Sequence, residues 1–456
     1  MFPFKIKKIT KKEDDNLTKI IKDLSYPYES KEIDKDKNMI LSSKLSIGFD
    51  TKTTRRNCNT IIFGPAGSGK TRYYTVPNLL QANCNYLVVT ETDEMYYKTN
   101  NFFITQGYKV KCLNLTKKYD SMSYNPFKYL NTDIDIIKIS KTIASQTESS
   151  KDPFFPKMEE FLLCAGIDYM TRNYTHSECS MELLLDIFNR EEYDVAYLLD
   201  TLPPSSIGYE KYEMYKTCNE SQRKRVLLSI IDVLRSIVSN TDSILKTDEM
   251  NFEDFRTEKV ILYIILSPFE NDINFLATLL IEQLHSYLIN DHVTFLNKEE
   301  EIFANMHKRN KKQITERKEL KYPLRFMLDN IENLNKIQDL EMLLAISRPY
   351  NISFSITISS ISQLEALGYD KEALIGNNDT IMLFGCTDNK TAEFFSKLLP
   401  VEVVGTGAYA YNRAFMMPDE LRMMPMNKCL ILIRGCKPII DDKYDLCKHK
   451  NYEIYK

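Results

Sequence analysis

Short runs of β-branched and aromatic residues recur at 59–63, 86–90, 108–115, 259–266, 324–329, 353–359, 380–384 and 429–433, separated by longer stretches with helical spacing of apolar positions. This alternation predicts an α/β protein with a mainly parallel sheet, because parallel strands need a crossover between them and a helix usually supplies it. Between 132 and 254 the strand signal disappears. Helical patterns at 158–170, 180–189 and 221–239 take over, so this stretch is expected to form an all-helical insert before the sheet resumes. The expected organisation is an arm at 1–40, a discontinuous α/β domain at 41–131 and 255–456, and an inserted all-helical domain at 132–254.

Composition narrows the picture. Of the 456 residues 43% are apolar and 27% charged, as in ordinary globular proteins, and the net charge of −3 excludes a chain that coats nucleic acid through overall basicity. Any DNA contact must be local. The one basic concentration outside the arm runs from Met306 to Arg325, with Lys308, Arg309, Lys311, Lys312, Arg317, Lys318, Lys321 and Arg325; a solvated loop and a DNA- or membrane-facing surface are equally open readings. The basic residues Lys5, Lys7, Lys8, Lys11 and Lys12 beside Phe2 and Phe4 read as a soluble tail, with weak attachment to anionic lipid as the alternative. Ten cysteines are scattered without a C-x-x-C pair, which points to free buried thiols in a reducing compartment and not to a zinc site. The first residues carry no secretory signal, and the most apolar run, 260–266, is far shorter than the ~20 residues a membrane span needs.

The chemistry lies in Gly64-Pro65-Ala66-Gly67-Ser68-Gly69-Lys70-Thr71, a full match to G-x-x-x-x-G-K-[ST] placed directly after a predicted strand and before a helical pattern. The glycines let the backbone wrap around phosphate oxygens with its N–H groups turned inward. Lys70 is expected to reach the β- and γ-phosphates of ATP, Thr71 to ligate Mg²⁺, and the helix beginning near Arg72 to direct its positive end at the phosphates. A carboxylate from another strand must complete the Mg²⁺ site, and the apolar run 324–328 ends in Asp329. Asp329, acting through water, joins Lys70 as a catalytic candidate and Thr71 as a metal candidate. The following residue is Asn330, which can orient water but cannot accept its proton. Glu332 and Glu91 are the carboxylates that stand as substitutes.

From about Ser42 to Tyr452 the sequence resembles the TraG/TraD class of type IV secretion coupling proteins. The resemblance rests on motifs in order: Arg55-Arg56-Asn57, Gly69-Lys70-Thr71-Arg72 with Pro77-Asn78-Leu79, Leu113-Asn114-Leu115, Tyr124-Asn125-Pro126-Phe127, Asp152-Pro153-Phe154-Phe155 and Asn274-Phe275-Leu276. They continue with Asp339-Leu340-Glu341, Leu343-Leu344-Ala345, Ile375-Gly376-Asn377, Pro418-Asp419-Glu420-Leu421-Arg422 and Ile433-Arg434-Gly435. The likeness implies a RecA-like P-loop NTPase with an inserted all-helical domain, assembled as a homo- or mixed hexamer. It also implies a role linking DNA and a relaxase-type protein substrate to the channel proteins of a type IV secretion system. The insert accounts for the 258 positions between Lys70 and Asp329.

The departures from that pattern gather around one function. The Asp-Glu pair of the family is Asp329-Asn330 here, its glutamine on the sensor-like strand falls on Ser359, and the second arginine after the Arg348 position is Tyr350. The family's Asp-Pro-Lys-Gly-Glu stretch is Glu91-Thr92-Asp93-Glu94. Its N-terminal membrane anchor has no counterpart among these residues, so the expected location is cytoplasmic or peripheral at the inner face of the cell membrane. Two functions stay open: an ATP-driven coupling protein, and a non-hydrolysing, nucleotide-gated adaptor. Arg348, Arg413 and Arg434 are weaker candidates for nucleotide or inter-subunit contacts, and His285 is expected to be structural.

Overall fold

The computed structural model describes residues 38–49, 51, 55–147, 152–241, 244–268, 271–289, 320–404 and 411–456. The basic tail and the part of the basic stretch at 306–319 lie outside the described residues.

Thirteen strands are described: β1 (Asn38–Ile40), β2 (Ser46–Gly48), β3 (Thr60–Phe63), β4 (Asn85–Thr90), β5 (Lys109–Asn114), β6 (Val260–Ile265), β7 (Leu324–Leu328), β8 (Ile352–Ile358), β9 (Thr380–Leu383), β10 (Val401–Val404), β11 (Tyr411–Ala414), β12 (Lys428–Ile433) and β13 (Ile439–Asp442). Nine of them form one sheet in the order β13-β12-β9-β3-β8-β7-β4-β6-β5. The pairs β3/β8, β3/β9, β7/β8 and β4/β7 are parallel, while β12 runs antiparallel to β9 and to β13. All residues of β3, β4, β6, β7 and β8 are buried, as expected of strands covered on both faces. The expected α/β architecture with a mainly parallel sheet is therefore observed, and each of the eight apolar runs read from the sequence overlaps one of its strands. The periodicity did not reveal the short strands β1, β2, β10, β11 and β13. Residues 38–40, at the end of the expected arm, are a buried strand paired with β2.

The chain divides into two compact units, one of residues 1–110, 257–263 and 320–456, the other of 111–256 and 264–319. Between β5 and β6 the described elements are all helical, among them Asp133–Ala144, Phe154–Asn173, Met181–Phe188, Ile207–Lys216 and Glu220–Thr241. Local chemistry starts them well: Thr132 and Asp135 form a reciprocal capping box, and Ser180 and Ser206 each accept from a first-turn N–H. Buried Asp168 accepts from Gly208 N at 3.0 Å and Arg172 Nε at 2.7 Å, and a Cβ on Gly208 would lie 2.6 Å from the Asp168 side chain, so only glycine permits this helix contact. His285 is fully buried, and burial lowers its proton affinity to about 3, which makes it a neutral core residue. Among the described residues no helix is long and apolar enough to cross a membrane.

Many motif residues prove to be backbone clamps of the first unit. Asn78 accepts from Ile40 N at 2.9 Å and donates to Ile40 O at 2.8 Å, tying β1 to the helix Val76–Leu80. Asn57 N donates to Asp379 Oδ2 at 2.5 Å, and Asn57 Nδ2 to Asn377 O at 3.0 Å. Arg348 donates to Thr51 O, Arg434 to Arg55 O and Asp379, and Arg413 pairs with Glu420. Arg325 corrects the reading of the basic stretch: it is not a surface cation but a residue of β7, 1% exposed. The strand is covered on both faces, so the side chain is enclosed, and it donates to Ser355 Oγ at 2.7 Å, Asn78 Oδ1 at 3.1 Å and Tyr74 Oη at 2.6 Å.

Candidate functional site

The ends of three neighbouring strands set the site. β3, β8 and β7 lie side by side, with Phe63 opposite Ile358 and Leu328 opposite Ile356. That register brings the loop starting at Gly64, the pair Thr357 and Ser359, and Asp329 with Asn330 to the same sheet edge. In parallel sheets this carboxyl edge is where ligands bind.

The loop Gly64–Lys70 runs between β3 and a helical segment whose first turn, Thr71–Thr75, is π-helical before Val76–Leu80 continues as α-helix. Pro77 explains the wider turn, since it has no N–H for the carbonyl four residues back and its ring crowds that carbonyl. Val76 N–H instead reaches Thr71 O. Gly67 and Gly69 have φ of 78° and 84°, which L side chains rarely adopt. A Cβ on Gly69 would lie 2.3 Å from the Tyr73 ring, and one on Gly64 would lie 2.5 Å from Ser68 Oγ. The loop is thus a cradle that side chains would fill.

Lys70 is 6% exposed and donates to Gly64 O at 2.6 Å. Burial lowers its proton affinity, and the carboxylates of Glu332, Asp329 and Glu91 oppose that effect. Thr71 Oγ1 donates to Asp329 Oδ2 at 2.6 Å, while Asp329 Oδ1 accepts from Thr357 Oγ1 at 2.7 Å and Thr75 Oγ1 at 3.3 Å. Burial pushes the Asp329 carboxyl up; the hydroxyls of Thr71 and Thr357, the Lys70 charge and the Thr75 hydroxyl pull it down. Lys70, Thr71 and Asp329 therefore converge as the sequence pattern suggests. Gly64 to Gly69 form the loop beside them, and Arg72 is exposed on the first helical turn.

Three further contributors went unread. Lys443, just past β13, is buried and donates to Ser68 O at 2.9 Å and Phe384 O at 2.8 Å, holding the loop by its carbonyl. Nothing in its local sequence marks it. Thr75 and Thr357 were detectable in principle: Thr75 lies one helical turn after Thr71, and Thr357 shares a strand face with Ser355 and Ser359.

At the rim, Asn330 adopts φ 52°, ψ 65°, a left-handed conformation that asparagine tolerates better than most residues. Its N–H donates to Thr357 Oγ1 at 2.8 Å and its Nδ2 to Glu91 Oε1 at 2.7 Å; Asn333 Nδ2 reaches the same Glu91 oxygen at 2.5 Å. Ser359 Oγ donates to Glu332 Oε1. Ser68 Oγ, Asn330 Oδ1 and Glu332 Oε2 are buried with no hydrogen-bond partner.

These residues fit a phosphate and a divalent cation. The cradle has room only because it is glycine, the buried ammonium of Lys70 has a single neutral carbonyl as its partner, and Thr71 with Asp329 offers two hard oxygen donors within hydrogen-bond distance of each other. Among the described residues no cluster of His, Cys, Asp and Glu forms a separate metal site.

Comparison with known proteins adds lineage to this geometry. The model of the type IV secretory system conjugative DNA transfer family matches residues 17–403. No curated protein matches the chain by sequence. Among solved structures, the bacterial conjugative coupling protein TrwB, lacking its first 70 residues and unbound, is similar over 94% of this chain and 90% of its own, with 13% identity and a TM-score of 0.68. TrwB in complex with ADP and Mg²⁺ gives 0.69 at 13% identity, covering 94% of this chain and 91% of that one. VirB4 of Thermoanaerobacter pseudethanolicus gives 0.51 at 12% identity, covering 89% and 96%. At such identities the likeness establishes the fold, RecA-like with a helical domain.

Proposed function

The chain belongs to the type IV secretory system conjugative DNA transfer family, and from that premise we propose that it is a nucleotide-binding coupling protein that holds ATP and Mg²⁺ at Gly64–Thr71 and Asp329. The observation that carries this reading is the 2.6 Å hydrogen bond between Thr71 Oγ1 and Asp329 Oδ2, which joins the phosphate loop to the carboxylate of a strand two places away. TrwB, whose fold this chain shares, has been solved with ADP and Mg²⁺.

In this reading the loop N–H groups cradle the phosphates, and Lys70 exchanges the Gly64 carbonyl for phosphate oxygens. Thr71 and Asp329 are the residues that would hold Mg²⁺. When bound, the ion would supply positive charge against the phosphate oxygens. Thr75 and Thr357 keep the Asp329 carboxylate oriented, and Lys443 fixes the carbonyl of Ser68. Nucleotide binding would serve to link DNA and a relaxase-type protein to channel proteins of the secretion system, with a homo- or mixed hexamer as the working form. Contact with the inner face of the membrane would be peripheral or through partners.

The test is a titration of the purified full chain with ATP in Mg²⁺, beside Lys70→Ala. Saturable binding that weakens roughly 100-fold in the variant is expected, the size of a lost charge-assisted contact. Absence of binding, or equal affinity in the two proteins, would overturn the reading.

A further inference from the structure

Asn330 leaves ATP turnover without the carboxylate that commonly accepts a proton from the attacking water. Two carboxylates flank the site, and they are held differently. Glu91 follows β4 and is exposed, and one of its oxygens already accepts from two amides, Asn330 Nδ2 and Asn333 Nδ2. That oxygen is therefore occupied by the two amides, and the side chain stands in solvent at the rim.

Glu332 sits on the single turn Ile331–Asn333 that follows Asn330. Its Oε1 accepts the hydroxyl of Ser359, the residue just past the end of β8 and level with Gly64 at the start of the phosphate loop. Its Oε2 is buried and has no partner. An isolated buried carboxylate oxygen is costly, so a protein keeps one where something else will meet it, such as a water or a ligand. The ammonium of Lys70, which would grip the γ-phosphate, is held on the carbonyl of Gly64, so Ser359 and the carboxylate it holds stand at the same strand ends as that cation. The two departures at Asn330 and Ser359 are thereby connected: the carboxylate comes from the next turn, and the short serine side chain both leaves it space and holds it by a hydroxyl.

We propose that Glu332, oriented by Ser359, is the general base of ATP hydrolysis in this chain. The inference rests on the nucleotide-binding reading above. The oxygen of a water molecule forms a bond to the γ-phosphorus as the bond from that phosphorus to the β–γ bridging oxygen breaks, and ADP leaves with the electron pair. Glu332 takes one proton from the water and afterwards releases it to solvent or to the departing phosphate. Asn330 contributes positioning: its amide keeps Glu91 at the rim, away from this task.

The experiment measures steady-state ATP hydrolysis and ATP affinity side by side, with and without single-stranded DNA, in the full chain. Wild-type protein is expected to hydrolyse ATP. Glu332→Gln should lower turnover by about 100-fold or more while affinity stays within about threefold. Glu332→Asp, with the carboxylate shortened but kept, should retain more turnover than the amide variant. Ser359→Ala should lower turnover by roughly tenfold without weakening binding, the pattern of a positioning residue. Turnover in Glu332→Gln within about threefold of wild type would overturn the assignment, as would a larger loss in Glu91→Gln than in Glu332→Gln. Wild-type protein that binds ATP tightly without hydrolysing it, with or without DNA, would also overturn it and leave the adaptor function. Wild-type protein that fails to bind ATP would instead refute the nucleotide reading, and the binding arm separates that outcome from the others.

Discussion

Beneath the proposed phosphates, the loop Gly64–Thr71 is held by backbone geometry and buried donors: two glycines with positive φ, Lys443 on the Ser68 carbonyl, and three threonine hydroxyls on Asp329. Around the position where water would attack, the residues are side chains reaching across from separate strand ends, Glu91 after β4, Asn330 and Glu332 after β7, and Ser359 after β8. The floor admits few substitutions, because a Cβ or a lost hydroxyl disturbs the backbone itself. The rim can be rewired, because a carboxylate needs only to arrive at the right place and any neighbouring segment can send one. A family pattern that fails at Asn330 and Ser359 while the loop matches in full is what this division of labour predicts.

The largest expected effect probes how the floor is supported from behind. Arg325 is buried among neutral partners on β1, β8 and the loop helix, so Arg325→Ala leaves a cavity and removes a donor from Asn78, Ser355 and Tyr74. Urea unfolding should show a loss of about 4 kcal/mol, and Arg325→Met, which fills the space, a smaller loss. Equal, small effects in both variants would mean that this polar scaffold does not support the floor.

Lys443 gives a smaller effect with a sign fixed by pH. Burial lowers its proton affinity from 10.5 in the unfolded chain to about 8 in the fold. Between those values the unfolded state binds more protons, so raising the pH favours the folded state. Stability of the wild type relative to Lys443→Met should therefore rise by about 2 kcal/mol from pH 8 to pH 10.5, and stay level below pH 8. Thermal or urea unfolding of the pair across that range checks it. Taking the difference cancels the common ionisation of tyrosines and cysteines.

The smallest effect lies at the rim. Restoring the carboxylate as Asn330→Glu places a long side chain at φ 52° and removes the amide that holds Glu91, so a cost of about 1 kcal/mol in unfolding free energy is expected. A loss of several kcal/mol would show the rim to be as rigid as the floor and erase the distinction between them.

Legibility in the sequence follows the same division. Buried parallel strands appear as continuous apolar runs, and a phosphate loop has fixed spacing because backbone geometry dictates each residue, so the sheet, Gly64–Thr71 and Asp329 could be read directly. Strand β8 also carried a usable signal: Ser355, Thr357 and Ser359 alternate with Phe354, Ile356 and Ile358, and the three polar residues contact Arg325, Asp329 and Glu332 in turn. Arg325 was misread because a cation beside lysines looks like surface, whereas β7 is covered on both faces and encloses it. Lys443 was invisible because its partner Ser68 lies 375 positions away, and strands of three or four residues such as β1 and β10 are too short to show a period.

The most direct test of the account is ATP affinity of the wild-type chain measured with Mg²⁺ and again with the metal chelated. If Thr71 and Asp329 form half of a cation site beside a phosphate cradle, binding should be saturable, one site per chain, and markedly tighter with Mg²⁺ present. Affinity indifferent to Mg²⁺, or no binding under either condition, would contradict it.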